Sequence, residues 1–310
     1  MAPAFPTTTV FAHQLSRWFG ARSAVQEIDL ELKKGEVLGF LGPNGAGKTT
    51  TMRMLTGNLA PSAGTINICG IDLLDQPKAA KQLIGYLPEN PPLYRELNVD
   101  EYLTLAARLH RVAKSALHDS VERTKQRCGL NEVSKQLIGS LSRGYQQRVG
   151  VAQAIIHNPE VVILDEPTVG LDPIQMREIR VLIRELGGTH SVILSSHVLP
   201  EVESVCDRVV IMHLGKNVYS GSIEALKQLR EGHSLELGLR NPPELSQLQL
   251  QGVISVEKVN DTLFEIQYDP GNDPSEELVK AAAERGWGLY QINRRQTSLE
   301  DVFVQLTQQE

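Results

Sequence analysis

The feature that most constrains the fold is a glycine-rich loop directly after an apolar run, Val37–Leu41. The loop fits the pattern G-x-x-x-x-G-K-[ST], and it reads Gly42, Pro43, Asn44, Gly45, Ala46, Gly47, Lys48, Thr49, Thr50. Residues 51–55 then have the composition of a helix. A buried strand, such a loop and a helix in succession bind phosphate, because backbone N–H groups and the helix N-terminus converge on one anion. The sequence therefore predicts a nucleotide site on a parallel sheet.

Two side chains of this loop have separate expected tasks. Lys48 would reach the β and γ phosphates, and Thr49 would offer its hydroxyl to Mg²⁺. The alternative is a glycine-rich turn that contains a lysine by chance. By average residue usage, the four fixed positions arise by accident in roughly one chain in a hundred of this length.

A second apolar run, residues 161–164, ends in two adjacent carboxylates, Asp165 and Glu166. Neighbouring side chains on a strand point to opposite faces, so we expect the two acids to have different tasks. We assign Asp165 to Mg²⁺ and Glu166 to the water that attacks the γ-phosphate. A solvated acidic turn is the alternative interpretation.

Three further positions have weaker signals. Ser142 and Gly144 open a helix that ends before Pro159, which is either a second anion site or an ordinary capped helix. His197 follows a buried strand, where ligands gather in parallel sheets, although most such histidines are structural. An aromatic residue at Trp18 or Phe19 would stack on adenine or pack in the core.

Composition restricts the class of protein. The 310 residues carry a formal net charge of −6, which argues against a broad nucleic-acid surface. The three cysteines are scattered without metal-ligand spacing, as expected of reduced thiols in the cytosol. We find no apolar run close to the length of a membrane span, and residues 1–7 lack a secretory signal pattern.

With these motifs in order, the chain resembles the ATP-binding subunit of an ABC transporter over residues 10–229. The order is an aromatic residue, Walker A, a loop, a helical insert, an LSGGQ-like signature, Walker B and a histidine. The resemblance implies the α/β fold of a P-loop NTPase with an antiparallel β subdomain. It also implies a nucleotide-binding domain over 1–230, with the helical insert at about 90–157.

The resemblance implies a role for each matched residue. Residues 42–49 are Walker A, Val161–Asp165 is Walker B, Glu166 is the catalytic carboxylate, His197 contacts the γ-phosphate and Phe19 stacks on adenine. Residues 170–172 belong to a loop that links the two ATP sites of a pair. Such cassettes pair head to tail, and Ser142 and Gly144 then complete the ATP site of the opposite subunit.

Two departures from the family pattern stand out. Arg143 and Tyr145 occupy signature positions where family members commonly carry Gly and Gln, while Ser142 and Gly144 are kept. Glu89 occupies a loop position where most relatives carry Gln. A carboxylate there adds a negative charge near Asp165 and Glu166, and it would raise a carboxylate pKa or bind Mg²⁺ directly. Both departures resemble cassettes of ABC-2-type exporters, including those associated with gliding motility.

Residues 231–310 are predicted to form a separate α+β domain. Strands at 234–239, 253–259, 263–268 and 287–292 alternate with a short helix at 244–250 and a longer one that starts near Asp273 and ends at Gly286. This order is the βαββαβ pattern of a ferredoxin-like fold. Residues 298–303 also resemble the ending of the same exporter class.

These inferences predict a cytosolic ATPase that uses ATP and Mg²⁺, pairs as a homodimer or with another cassette, and energises a separate membrane permease of an exporter. It would lie peripherally on the inner face of the cell membrane, with no nucleic-acid partner. The alternatives are a soluble ABC ATPase that acts on nucleic acid or ribosomes, an importer cassette, and a nucleotide switch that never hydrolyses.

Overall fold

The structure is a computed structural model, and it describes residues 8–230, 234–269 and 271–294. The tail at 1–7 and the ending at 298–303 lie outside the described residues. The chain divides into two compact units, one up to Ile223 and one from Glu224 onward. The boundary expected from the sequence, 230/231, lies at the far end of the helix that begins at Ile223, and it stays a prediction.

The strands of the described residues, in chain order, are β1 (Thr8–Phe19), β2 (Arg22–Lys33), β3 (Val37–Leu41), β4 (Ala63–Ile68), β5 (Ile71–Asp72), β6 (Ile84–Leu87), β7 (Val161–Asp165), β8 (Ser191–Ser196), β9 (Arg208–His213), β10 (Lys216–Ser222), β11 (Ser234–Leu239), β12 (Val253–Lys258), β13 (Leu263–Tyr268) and β14 (Leu289–Arg294). The helices are α1 (Lys48–Leu55), α2 (Pro77–Gln82), α3 (Val99–Leu109), α4 (Leu117–Cys128), α5 (Arg143–Ile155), α6 (Pro173–Gly187), α7 (Leu199–Val205), α8 (Ile223–Arg230) and α9 (Ser275–Glu284).

The first unit contains two sheets. The antiparallel sheet has the order β2-β1-β4-β5, and its alternating residues bury one face, as the sequence predicts. The second sheet has the order β10-β9-β3-β8-β7-β6. Its strands β3, β7 and β8 are buried along their whole length and pair in parallel, so their continuous apolar runs are explained by cover on both faces.

The helical insert contains α3, α4 and α5. Asn98 caps α3 and accepts from the Glu101 N–H, while the Glu101 side chain accepts from the Asn98 N–H, so the helix start is fixed from both sides. Helix α4 ends at Gly129, which adopts a left-handed conformation. Ser142 caps α5, as predicted. Short 3-10 turns at Asn131–Val133 and Ile138–Ser140 connect α4 to α5.

The second unit has an antiparallel sheet in the order β12-β13-β11-β14, with α9 between β13 and β14 in the chain. This is the strand order of the ferredoxin-like pattern, with α9 as its second helix. The helix expected at 244–250 is only a 3-10 turn, Leu245–Leu248. The last strand begins at Leu289 rather than at residue 287, because Gly286 and Gly288 turn the chain with positive φ and Trp287 packs into the core.

In the described parts of the chain, no helix is both long enough and apolar enough to cross a lipid bilayer.

Candidate functional site

The glycine-rich loop connects β3 to α1 and is held close to neighbouring backbone. A Cβ atom on Gly42 would lie 2.4 Å from the Met212 carbonyl oxygen, and one on Gly47 would lie 2.7 Å from that of Ala24. Gly47 also has a φ of 106° and gives α1 no side-chain cap. The first N–H groups of α1 therefore face an open cavity, and they are the donors that an anion at a helix N-terminus uses.

Lys48 lies almost buried at the base of this loop. Its Nζ donates to the carbonyl oxygens of Gly42 at 2.8 Å and Pro43 at 3.3 Å. The same Nζ lies 3.3 Å from Glu166 Oε1. The ammonium group is thus held at the point where the loop and the end of β7 meet.

Glu166 joins Lys48 to His197. Its Oε2 lies 2.9 Å from His197 Nδ1, and only 7% of the residue is exposed. The backbone of Glu166 has a φ of 49°, in the left-handed region that non-glycine residues rarely adopt. This conformation turns the carboxylate away from the line of β7 and towards the cavity.

Asp165 is fully buried and has different partners. Its Oδ1 accepts from the hydroxyl of Ser195 at 2.6 Å and from that of Thr49 at 3.4 Å. Burial raises the pKa of Asp165 above its usual value, although both hydrogen bonds oppose the shift. Its Oδ2 is buried and has no hydrogen-bond partner among the described residues. A buried carboxylate oxygen beside a threonine hydroxyl suits Mg²⁺, which prefers hard oxygen ligands.

An open cavity of about 740 Å³ extends from the loop. Predicted residues on its wall are Phe19, Asn44, Gly45, Gly47, Lys48, Thr49, Thr50, Glu89, Glu166 and His197. We call this space the phosphate cavity. Its volume is in the range of small-molecule sites. Most of the residues that the sequence predicts for nucleotide binding lie on its wall.

Phe19 lies at the edge of the phosphate cavity with 49% of the residue exposed. The guanidinium carbon of Arg17 lies 4.8 Å from the centre of its ring. Arg17 is itself anchored, because its Nη1 donates to the Ala60 carbonyl oxygen at 2.9 Å. Trp18 is similarly exposed but is not on the cavity wall. The cation–π contact orients the Phe19 ring and leaves it accessible to a flat ligand.

Ser142 and Gly144 are not on the wall of the phosphate cavity. They begin α5, where the Ser142 hydroxyl accepts from the Tyr145 N–H at 3.4 Å. A Cβ atom on Gly144 would lie 2.6 Å from Cδ of Gln175, so the start of α5 packs closely on α6. We call residues 141–145 the signature corner.

Sequence reasoning missed Ser195. Its hydroxyl accepts from the Glu166 N–H at 2.9 Å and donates to Asp165, so one side chain fixes both acids. The only sequence signal was that β8 ends in polar residues. Reasoning from motifs also missed Arg22, Ser23 and Leu214, which line the cavity beside Phe19 but belong to no pattern.

Two family models match the chain. The model described as ABC transporter covers residues 25–169, and the model described as ATP-binding protein DrrA1-3-like, C-terminal domain, covers residues 221–307. The second match begins near the division between the two compact units.

Curated relatives match almost the whole chain. An uncharacterized ABC transporter ATP-binding protein of Bacillus subtilis, YxlF, is 34% identical over 94% of this chain and 97% of its own length. The bacitracin transport ATP-binding protein BcrA of Bacillus licheniformis is 33% identical over 97% of both chains.

Solved structures share the fold of the first unit. The ATP-binding subunit of an ABC transporter superimposes with a TM-score of 0.65 at 29% identity, covering 72% of this chain and 93% of that one. The bacterial ABC transporter cassette MJ0796, solved as a dimer, gives a TM-score of 0.63 at 20% identity, covering 69% and 98%. With these relatives and the geometry of the phosphate cavity, the chain belongs to the ATP-binding proteins of ABC transporters and is an ATPase of the P-loop class.

Proposed function

We propose that the chain is the ATP-hydrolysing subunit of an exporter and that it drives a separate membrane permease from the inner face of the cell membrane. The observation that carries the hydrolytic part is the unbroken set of contacts from Lys48 through Glu166 to His197 at the wall of the phosphate cavity. A lysine that binds the phosphates and a carboxylate that positions the attacking water are groups that phosphoryl transfer to water uses, and His197 contacts that carboxylate.

In this proposal, Lys48 leaves the loop carbonyls and binds the β and γ phosphates, which releases the Glu166 carboxylate. Glu166 then orients the attacking water by accepting its hydrogen bond. His197 donates to the γ-phosphate and keeps Glu166 in place. Bound Mg²⁺ would be held by Thr49 and Asp165, with Glu89 within the same cavity, and it would neutralise developing charge on the phosphates. Phe19 stacks on the adenine ring.

The signature corner acts on a second subunit in this proposal. Ser142 and Gly144 lie off the cavity wall of their own chain, yet the family pattern gives them a phosphate contact. Head-to-tail pairing of two copies, or of this chain with a similar cassette, would bring each corner to the opposite nucleotide. The solved MJ0796 cassette is itself a dimer. ATP then closes the pair, and hydrolysis reopens it.

Export, rather than import, rests on the resemblance of the signature, of the Glu89 loop and of the C-terminal ending to exporter cassettes. The relative BcrA is named for bacitracin transport. We propose that residues 231–310 stabilise or regulate the pair. Deletion of this segment would test that role, and unchanged dimerisation and ATPase activity would count against it.

The hydrolytic proposal is tested by phosphate release from Mg-ATP with the wild-type chain and the Glu166→Gln variant. We expect nucleotide binding to persist and turnover to fall by about 10²–10⁴-fold, as for the loss of a general base. Unchanged turnover would show that Glu166 has another role. To test the role in transport, the chain is purified from detergent-solubilised membranes, and we expect a membrane-spanning subunit to co-purify with it. Salt-sensitive binding of nucleic acid instead would favour the soluble motor class.

A further inference from the structure

The two departures from the family pattern carry opposite charges. Glu89 replaces a neutral glutamine and Arg143 replaces a neutral glycine. Within one chain they lie at different places, since Glu89 is on the wall of the phosphate cavity and Arg143 is in the signature corner, off that wall. One surface therefore carries the negative charge and the other the positive charge, and head-to-tail pairing would bring these two surfaces together.

Arg143 is an exposed residue whose charge has no partner among residues 8–230, 234–269 and 271–294. Its guanidinium lies against Gly170, where a Cβ atom would be 2.3 Å from Nη1 and 2.4 Å from Cζ. Gly170 also has a φ of 72°, so both the close guanidinium and the left-handed backbone favour glycine at this position. Among the residues that the structure describes, Arg143 makes no hydrogen bond or ion pair. A guanidinium without partners there can donate to another molecule.

Glu89 is likewise exposed and without a hydrogen bond or ion pair in the described part of the chain. The nearby cation is already engaged, because Lys48 contacts Glu166. Asp165 adds a further carboxylate behind the wall. A third acid beside a triphosphate is stabilised by any cation that approaches it, either the Mg²⁺ that accompanies the nucleotide or a positively charged side chain of a second subunit.

We propose that, in the ATP-bound pair, Glu89 forms an ion pair with Arg143 of the partner subunit. The proposal rests on the head-to-tail pairing of the proposed function, and the partner is a second copy of this chain. Ser142 and Gly144 flank Arg143 directly, so any nucleotide that they contact lies within reach of the guanidinium. Glu89 lines the cavity that holds that nucleotide. The two departures thus compensate each other across the interface.

A double-mutant cycle tests this pairing. The variants are Glu89→Gln, Arg143→Gly and the double variant, each in a Glu166→Gln background that preserves ATP, and the readout is the ATP concentration for half-maximal dimerisation in analytical ultracentrifugation. We expect each single change to raise this concentration about fivefold or more, as for close charge pairs at interfaces. The double variant should lie closer to the starting chain than either single variant. Effects that simply multiply would overturn the proposal.

Lys114→Gly is the matched control, because it removes one exposed positive charge from a turn of the helical insert outside the signature corner. It should leave the dimerisation midpoint unchanged and show no coupling to Glu89→Gln. Coupling of the same size for Lys114 would mean that net charge, and not the pair, is responsible. Melting temperatures of all variants should match, since Glu89, Lys114 and Arg143 are exposed.

Mixing the two single variants separates a contact between subunits from one within a chain. A pair made of one Glu89→Gln chain and one Arg143→Gly chain has one site with both charges and one site with neither. We expect the mixture to dimerise at a lower ATP concentration than either variant alone. A mixture whose ATP concentration for half-maximal dimerisation is the average of the values for the two single variants would overturn the contact between subunits. If the starting chain stays monomeric with ATP, the head-to-tail proposal itself fails, whereas ATP-driven pairing with independent effects removes only the ion pair.

Discussion

The phosphate cavity and the signature corner differ in how completely their polar groups are satisfied within one chain. In the cavity, Lys48, Glu166 and His197 contact one another, and Ser195 fixes both acids. In the signature corner, a 3.4 Å cap bond holds Ser142, and Arg143 lies against Gly170 with no hydrogen bond or ion pair to any residue that the structure describes. The proposed hydrolytic groups thus contact one another within each copy, whereas the contacts of the signature corner are consistent with the proposal that it acts on a second copy.

Lys48→Ala is the change that should break this comparison most severely. It removes the cation that we propose to bind phosphate, and it leaves the nearly buried Glu166 carboxylate without its contact to Lys48. We expect ATP affinity and turnover to fall by roughly 10²–10³-fold, the scale of losing one preorganised charge stabiliser. Isothermal titration with ATP measures the loss. Lys135→Ala, at an 82% exposed side chain, is the control, and equal effects of the two changes would contradict the assignment.

Ser195→Ala tests whether a single hydroxyl group holds both acids, Asp165 and Glu166, in position. Without it, the Glu166 N–H and Asp165 Oδ1 both lose a partner, so the two acids should lose their fixed positions. We expect turnover to fall about tenfold, consistent with the lost hydrogen bond to a charged group, while ATP binding changes little. Ser196→Ala is the matched control, because the Ser196 hydroxyl donates to Glu201 instead. An undiminished kcat for Ser195→Ala would show that the acids are held by other contacts.

Phe19→Ala should affect binding rather than turnover. Base stacking on an aromatic side chain contributes about 1–3 kcal/mol, so we expect ATP affinity to fall roughly tenfold. The affinity for inorganic tripolyphosphate, which has no base, should stay the same. Trp18→Ala is the neighbouring control, since Trp18 is exposed but not on the cavity wall. A larger loss for Trp18→Ala would transfer the adenine contact to that ring.

The smallest expected effect concerns His157, which follows α5 and lies between the signature corner and the strand that leads to Glu89. Helix α5 runs from the signature corner towards His157, whose Nε2 lies 3.2 Å from the carbonyl oxygen of Ile84 in the strand that leads to Glu89. Burial, with a smaller contribution from the stacked His110 that lies 3.9 Å away between ring centres, lowers the pKa of His157 to about 4. The unfolded chain therefore binds more protons than the folded chain between the ordinary histidine value and about pH 4.

Stability should accordingly fall as the pH drops through this window. His157→Gln keeps a donor for Ile84 and removes the titration, so its unfolding free energy should depend less on pH there. Urea unfolding at several pH values measures the slope, with the exposed His118→Gln as control. A slope as steep in His157→Gln as in the wild type would show that other groups dominate.

The sequence predicted the loop and the buried strands, because these follow from local patterns. It also predicted separate tasks for Asp165 and Glu166; their assignment to Mg²⁺ and to water stays a prediction, while the structure gives the two acids different contacts. The sequence did not predict how the acids diverge, since the left-handed φ of Glu166 and the bridging hydroxyl of Ser195 depend on β7 and β8 lying side by side. The last strand was placed too early for a similar reason. Trp287 looks like a strand residue locally, but tertiary packing draws it into the core.

The position of Arg143 on Gly170 also lies beyond sequence patterns, because it requires the start of α5 to meet the loop before α6. The signature motif alone indicates only which residue has replaced glycine. The structure adds that this charge has no use inside the described part of its own chain.

Native mass spectrometry of the Glu166→Gln chain with Mg-ATP is the most direct test of the proposed ATP-dependent pairing, because it counts chains and nucleotides in one particle. The account predicts a particle of two chains with two ATP molecules, and single chains when ATP is left out. Single chains that each hold one ATP at saturating concentration would contradict it, since the nucleotide would then need no second copy.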